Sequence, residues 1–522
     1  MGATEHIDIP SFEQMGRLVA ATERIADVQE GKTSGMSTLE QQIASSFAVA
    51  RTGKVYRTRF YKYATNTTTA GTKMDDNAGL VCEPSTDTTE GQDDYADLPF
   101  NKWIKCNYKR DSDGFARPTV LEDWPGYAKS GAVDVGVLHP TIWVAIKNTA
   151  TYQDVIVSDS PHAELGLVPF CDSVKADGTV MPYFIQSATA SGMASDGLLR
   201  SQPELAPAYN QSFNSMITDY KKKGDGYQGA GQSRNLFGYL MYMIKYAYKS
   251  SQKVFAGCSI YNAQVKCAVA ETGVKRVLVT SSDPWYVGGC VSVGVANGTN
   301  TDRGNSSMNS VCDRVRIKSI EKVTVSSTQY TALNLDIDST INTTTDTYVS
   351  TMPCWTGETD VVIGHHDGSF MSNTDGHHTF RINGQEYMNG QYVVASDTVI
   401  VFSDANGYKD VYVYPKGTTH VANSYANAVK VASIPVTGDY WIGDEQFILA
   451  YGAMVPGAKG SGDSVGAGDY TYGGSAPSAP SAGSTREYLQ NANLWGGSGA
   501  GLCCVSCGTG LGDGYWNYAS CD

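Results

Sequence analysis

No stretch of this chain is apolar for long enough to cross a bilayer, which takes about 20 residues, so no helical membrane span is expected. Its first ten residues, MGATEHIDIP, lack a basic region followed by an apolar core, and no secretory leader is expected in them. His6 stands where a myristoylation signal needs Ser or Thr. Basic residues are also short: Lys and Arg number 39 against 53 Asp and Glu, a net charge of -14. A nucleic-acid partner needs a basic footprint, so none is expected; an acidic balance serves solubility. The first eight of the 12 cysteines (Cys82, Cys106, Cys171, Cys258, Cys267, Cys290, Cys312, Cys354) lack C-x-x-C spacing and read as free thiols of a protein made in a reducing cytosol. Histidine is scarce, and His365, His366, His377 and His378 form the one cluster. These pairs offer metal-ligand chemistry, but they flank a Gly/Ser/Asn turn region and are expected to cover a surface.

What is present is length and pattern. At 522 residues with 41% hydrophobic side chains, the chain is long enough for about two to four domains. Ser11 to Gln14 and Ser37 to Glu40 are capping boxes, in which a hydroxyl and a later Gln or Glu satisfy the first free amides of a helix. Met15, Leu18, Thr22 and Ile25 follow the first box, and Leu39, Ile43 and Phe47 follow the second. Two short helices result. Two heptads do not establish a coiled coil, so two readings stay open: helices packed on their own domain, or an oligomerising or virion-docking stalk.

From residue 51 the pattern turns to β. Residues 54–63 (KVYRTRFYKY) alternate, and residues 142–146 form a short apolar run. Residues 73–94 are acidic but lack the register of a calcium loop, so a solvated loop is expected. Leu236, Tyr239, Leu240, Met243, Ile244 and Ala247 fall on one face of a helix over residues 235–250, a core stripe. Strands are expected at 276–280, 291–295, 314–325, 398–403 and 411–414, and a boundary or long exposed connection at 336–348. Gly/Ser/Ala/Pro-rich residues 457–483 read in isolation as a linker.

The last stretch, residues 486–522, crowds Cys503, Cys504, Cys507 and Cys521 among Gly, Ser, Asn, Asp and Tyr on a sparse frame of Leu489, Leu494, Leu502, Leu511 and Trp516. Tyr gives contact area at low entropy cost, and Ser and Gly adapt around it. Such a frame with freely chosen residues between reads as a displayed, variable surface. Gly497, Ala500-Gly501-Leu502 and Trp516-Asn517 resemble the fixed positions of the variable region in targets of phage diversity-generating retroelements, whose C-type-lectin-fold proteins include the major tropism determinants. Adenine changes turn AAC codons of that family into Gly, Ser, Cys, Tyr or Asp codons, and the resemblance makes each cysteine one such product. Ser250-Ser251-Gln252 with Gly257 resembles the family's helix end, and residues 457–483 its glycine-rich loop. Gly368-Ser369, Ser372-Asn373, the residues 381–386 and Asn389-Gly390-Gln391-Tyr392 resemble the formylglycine-generating-enzyme type of this fold. Phe370 replaces a proline, and Val393 and Val394 stand where Trp-Glu-Trp is usual.

The resemblance implies an α+β, multidomain chain with short N-terminal helices, a β-rich middle and a C-terminal C-type lectin fold. Its segments are expected at 1–52 (helices for oligomerisation or virion docking), 53–190 (β-rich), 191–347 (helix plus strands, possibly opening the lectin module) and 348–522 (lectin-like, variable region 486–522). It implies a phage virion receptor-binding protein, a homotrimeric fibre or tip protein at the virion surface, with a host-cell surface protein or glycan and other virion proteins as partners. Expected displayed residues are Gly499, Cys503, Cys504, Ser506, Cys507, Thr509, Asp513, Tyr515 and Tyr518. No catalytic residue, cofactor or metal site is expected. Cys504 and Cys507 are C-x-x-C, the spacing of a copper or redox enzyme, but no electropositive neighbour lies beside them in sequence. Trp516-Asn517-Tyr518 resembles the calcium motif of sugar lectins with Tyr518 in place of the carboxylate, so recognition without calcium is expected. The alternatives are a structural head or tail decoration protein with a fixed-specificity binding domain and a copper or metal oxidase of the formylglycine-generating type.

Overall fold

The computed structural model describes residues 37–65, 68–403, 408–435, 437–473 and 483–522. The expected first helix, with its Ser11 box and Met15 to Ile25 seam, lies outside the described residues. The second forms as helix α1, Thr38–Ala50. The Glu40 amide donates to the Ser37 hydroxyl at 3.3 Å and the Ser37 amide to Glu40 Oε2 at 2.7 Å, a complete capping box. Ile43 and Phe47 are buried against Ile104, Phe115, Leu121 and Tyr183. Ile104, Leu121 and Tyr183 belong to, and Phe115 immediately precedes, a four-stranded antiparallel sheet ordered Ala116–Leu121, Ile104–Arg110, Asp134–Pro140, Tyr183–Ser187. The apolar seam of α1 therefore closes its own fold, which corrects the stalk reading for this helix.

The alternating run at 54–63 gives the strand Val55–Tyr61, whose side chains alternate between buried and half-buried until its last residue. It lies in a five-stranded antiparallel sheet ordered Thr72–Asp75, Val55–Tyr61, Tyr152–Ser158, Trp143–Asn148, Val168–Pro169. A short helix absent from the sequence reading, α2 (Phe213–Lys221), is capped by Ser212 and Ser215. The helix expected at 235–250 is α3, Ser233–Tyr246. It ends early because Ala247 turns left-handed at φ 56° and the Lys249 amide leaves the helix for the Thr69 carbonyl at 2.9 Å.

The sequence stripe implied one buried face on α3, yet every residue from Arg234 to Tyr246 is buried. Strands Val55–Tyr61 and Tyr152–Ser158 pack on it from one sheet, and Phe380–Ile382 and Ala453–Pro456 from the C-terminal third. A helix enclosed this way must satisfy its own polar groups. Arg234 donates to the Ser187 carbonyl at 3.0 Å and the Glu386 carbonyl at 2.7 Å, and Lys245 pairs with Asp367 at 2.8 Å and Asp93 at 3.2 Å. Removing one partner of such a buried pair costs about 3–5 kcal/mol. These bonds make α3 the axis on which the other units are fixed.

One hydrophobic core joins Tyr56, Phe184, Phe237, Val399 and Leu502, so segments 53–190, 191–347 and 348–522 share an interior. A separate core around Val277, Val293, Ile317 and Leu333 fills a six-stranded antiparallel sheet ordered Gln264–Lys266, Thr347–Thr351, Cys290–Val295, Cys312–Val325, Thr328–Leu335, Arg276–Val279. Residues 336–348 connect two strands of that sheet, and Ile341–Asn342 pairs with Thr272–Val274 on the way. The expected boundary at 347/348 therefore falls inside a folded unit, because backbone pairing continues through it.

The C-terminal third is built on a mixed sheet ordered Val429–Ile434, Lys409–Val413, Tyr392–Phe402, Thr485–Gln490, Val505–Ser506, Tyr470–Tyr472, Tyr440–Trp441. The short strand Tyr518–Ala519 joins Tyr392 and Val393 in parallel. The chain is thus multidomain and β-rich, with three α-helices among the described residues.

Candidate ligand-binding surface

Two loops leave the Thr485–Gln490 and Val505–Ser506 strands, and both are tied down at several points. In the first, the Gly497 amide donates to the Ser259 carbonyl at 3.0 Å, while the Gly497 carbonyl accepts from Gln252 Nε2 at 2.6 Å. Where that loop closes, the Leu502 amide donates to the Ser251 hydroxyl at 3.1 Å and Asn235 Nδ2 to the Leu502 carbonyl at 2.5 Å. The second loop lies over the start of α2: the Asn214 amide donates to the Leu511 carbonyl and the Asn210 amide to the Tyr515 carbonyl, both at 2.9 Å. Leu489, Leu494, Leu502, Leu511 and Trp516 are all buried, which is the frame read from the sequence.

On this held backbone the exposed side chains are few. Trp495 is 47% exposed and Tyr515 48% exposed, large values for aromatic residues on anchored loops. The Trp495 ring rests on Trp516 at 5.3 Å, and the Arg303 guanidinium lies 4.9 Å from Trp516. Tyr515 packs edge-on against Tyr518 at 5.1 Å. Ser498, Gly508, Gly512 and Asp513 are exposed around them. Asp513 closes its own turn by accepting from the Gly510 amide at 3.0 Å. Trp495 was missed in the sequence; its signal is a bulky aromatic followed by two glycines in NLWGG.

Of the nine residues expected on display, Asp513 and Tyr515 are exposed and Thr509 is half-buried, its hydroxyl 2.8 Å from that of Tyr518. The other six are corrected to interior positions. Gly499 sits against Tyr470, where an added Cβ would lie 3.0 Å from a side-chain atom. Ser506 is inside the sheet, paired with Leu489 and Tyr472. Tyr518 is 8% exposed in the parallel strand pair. Cys503, Cys504 and Cys507 belong to the main core. The physical reason is that the chain after Leu502 passes between the Tyr470–Tyr472 strand and Leu489: the Cys503 amide donates to Asp469 Oδ2 at 2.8 Å and the Cys507 amide to the Tyr472 carbonyl at 2.9 Å. Close packing there favours small side chains.

Burial, with Glu445 and Asp469 nearby, pushes the Cys503 thiol far above its usual range, and burial with Asp469 does the same to Cys504. Burial raises Cys507 to about 12, against the pull of Lys409. Thiols in this state are neither nucleophiles nor ready metal ligands. Among the described residues no group of three His, Cys, Asp or Glu side chains is arranged to hold a metal ion. The histidines cover a surface in part: His365 is exposed and His366 and His377 are half-buried, but His378 is interior, which corrects the expectation for that residue. His365 lies 4.7 Å from Trp103, whereas His378 is 2% exposed between Asp375 at 3.2 Å and Glu358 at 3.3 Å. Burial alone would lower the His378 pKa, but these two carboxylates overcome it and hold the value up at about 10.

No protein-family model matches the chain, and a search of curated proteins finds no match to it.

Proposed function

We propose that this chain is the receptor-binding protein of a phage particle, with a C-terminal module of the C-type lectin kind found in diversity-generating retroelement targets. It sits on the virion surface as a homotrimer, held by other virion proteins, and binds a host-cell surface protein or glycan. The observation that carries this reading is the pair Trp495 and Tyr515, half-exposed on loops whose backbones are bonded to α2, α3 and the residues after α3. Rigid aromatic anchors on a fixed scaffold are what binding hot spots use. Many copies on one particle raise the effective concentration of each weak contact.

The test is adsorption of the labelled full-length chain to a panel of bacterial strains. Trp495→Ala combined with Tyr515→Ala should lower binding to any strain the wild type recognises by about tenfold or more, equivalent to about 1.4 kcal/mol or more, with melting unchanged. Undiminished binding by the double variant would remove the surface from the reading.

A fixed-specificity binding domain is the second reading, favoured by the buried cysteines. Positions inside a core do not vary freely, so variation consistent with the fold is limited to 495–498, 508–510 and 512–515.

A further inference from the structure

Away from the C-terminal loops, a polar cleft opens between the hairpin at 110–116, the turn at 172–176, the glycine-rich residues 226–231 and the loop at 414–420. It consists of two adjoining cavities, of about 140 Å³ and about 270 Å³. The two share Asp113, Gly226, Gln228, Gly417, Thr418 and His420 as lining. Pockets for drug-sized ligands run to about 300–1,000 Å³; this one has room for a single ring.

Its charges are nearly all accounted for. Lys416 pairs with Asp172 at 3.2 Å, Lys175 with Asp113 at 3.6 Å and Arg110 with Asp522 at 3.1 Å. Arg234 is bound to backbone carbonyls. Lys221 and Asp225 stand exposed on the lining, and the remaining exception is Asp397. Its Oδ1 accepts from the Thr398 hydroxyl at 2.7 Å and the Gln232 amide at 3.1 Å, but among the described residues no Lys or Arg pairs with it and Oδ2 takes no hydrogen bond. Oδ2 lies over Gly231, where an added Cβ would come within 1.9 Å of it.

A second group is unused as well. His420 lines both cavities, is 8% exposed, and its Nδ1 has no hydrogen-bond partner. Its ring lies 4.6 Å from Tyr414, whose amide donates to the Asp397 carbonyl at 2.8 Å, so the two groups are joined through one residue. Burial lowers the imidazole to about 4, so it is neutral at pH 7 and offers one donor and one acceptor. The buried, unpartnered Nδ1 of His420 carries a desolvation cost that a ligand can relieve, while Asp397 is half-buried and open to a donor.

From the unpaired Asp397 carboxylate, the unpartnered His420 and the aromatic Tyr414 in one small cleft, we propose a second binding site for a single saccharide ring, either free or at the end of a glycan. Arg110, Lys175, Arg234 and Lys416 are already engaged, and Lys221, the other cation of the lining, is exposed to water, where a charge pair is worth little. Five carboxylates (Asp113, Asp172, Asp225, Asp397 and Asp522) are balanced by five cations (Arg110, Lys175, Lys221, Arg234 and Lys416), which disfavours a charged ligand of either sign. Hydroxyl groups both donate, as Asp397 requires, and accept, as one nitrogen of a neutral imidazole requires.

The experiment is saturation-transfer NMR on the full-length chain with D-glucose, D-galactose, D-mannose and N-acetyl-D-glucosamine at pH 7.5, followed by oligosaccharides ending in whichever sugar responds. At least one sugar should receive transfer. Asp397→Asn and His420→Phe should each weaken its binding by about tenfold. Thr419→Trp, at an exposed position lining the larger cavity next to His420, should block it without touching the core. Trp495→Ala with Tyr515→Ala should leave it unchanged, which separates this site from the C-terminal surface. Tighter binding of the oligosaccharide would identify a glycan end, and equal binding a free sugar. Absence of transfer from all four sugars, or transfer that survives both Asp397→Asn and Thr419→Trp, would overturn the proposal.

Discussion

Glu487→Gln should stabilise this protein, and by an amount that grows with pH. Glu487 lies in the Thr485–Gln490 strand beneath the candidate surface and is 0% exposed. Its Oε1 accepts from the Phe213 amide at 3.2 Å, while Oε2 has no partner among the described residues. Two effects oppose each other. Burial disfavours the carboxylate, whereas Phe213 opens α2, and a helix N-terminus favours a negative charge by about 0.3–1 kcal/mol, reaching about 2 kcal/mol when partly buried. Burial wins: it raises the carboxyl from 4.5 to about 9, the Phe213 amide pulling down and Asp513 adding a smaller push upward. Below about pH 4.5 the proton is present in both folded and unfolded chains. Between 4.5 and about 9 only the folded chain keeps it, so wild-type stability falls by about 1.4 kcal/mol per pH unit through that window. At pH 7 the deficit is about 3 kcal/mol. Glutamine carries no such proton, so the difference between variant and wild type should widen by about 4 kcal/mol from pH 5 to pH 8. Urea denaturation at four pH values across that range measures it. The slope is diagnostic, because any packing difference between Glu and Gln shifts all four points equally. A constant difference would mean that Glu487 is ionised in the fold and that the helix end outweighs burial.

Cys503→Ser with Cys507→Ser should lower the melting temperature, because each buried hydroxyl without a partner costs about 1–3 kcal/mol; Asp513→Ala, on the exposed turn, should stay within about 0.5 kcal/mol, and equal melting of the two variants would contradict the burial of the thiols. Leu502→Ala should cost about 2–5 kcal/mol in the same assay. His378 keeps its proton to about pH 10 in the fold but only to 6.5 when unfolded. Its contribution is therefore complete below pH 6.5 and lost as pH rises toward 10, and comparing the pH dependence of wild type and His378→Gln by thermal melting should expose that slope. If a retroelement diversifies this gene, sequencing the flanking DNA should find a near-identical template copy beside a reverse-transcriptase gene, with adenine-linked differences confined to codons 495–498, 508–510 and 512–515; differences spread evenly over the codons of buried residues would contradict that confinement.

Periodicity made some elements legible and not others. The capping box at Ser37 and the alternation from residue 54 are local signals, and both formed where expected. The stripe on α3 was visible, but its enclosure was not, because Lys245 and Arg234 look like solvent-facing residues until Asp93, Asp367 and the Ser187 and Glu386 carbonyls, all distant in sequence, are brought to them. At 336–348 the exposed connection is there and the boundary is not: a Thr/Asp-rich run resembles a linker, yet its strand partner at 272–274 lies 60 or more residues earlier.

The cysteines were misread because small residues have two uses that composition alone does not separate. Gly, Ser and Cys suit an adaptable surface, and they equally suit a chain threaded between packed layers, where a larger side chain has no room. At Gly501 an added Cβ would stand 2.2 Å from Asp469 Oδ2, and at Gly499 it would meet Tyr470, so between those neighbours smallness reflects close approach. The distinction bears directly on function. If Cys503, Cys504, Ser506 and Cys507 had been on display, the binding surface would be broad and poor in anchors, and affinity would depend almost wholly on copy number. With those four buried, what remains outside is Trp495 and Tyr515 with Ser498, Asp513 and glycines between. A narrow patch of two aromatic anchors on a stiff frame places its affinity in a few residues, and that is why the Trp495 and Tyr515 double variant is the decisive one for the surface.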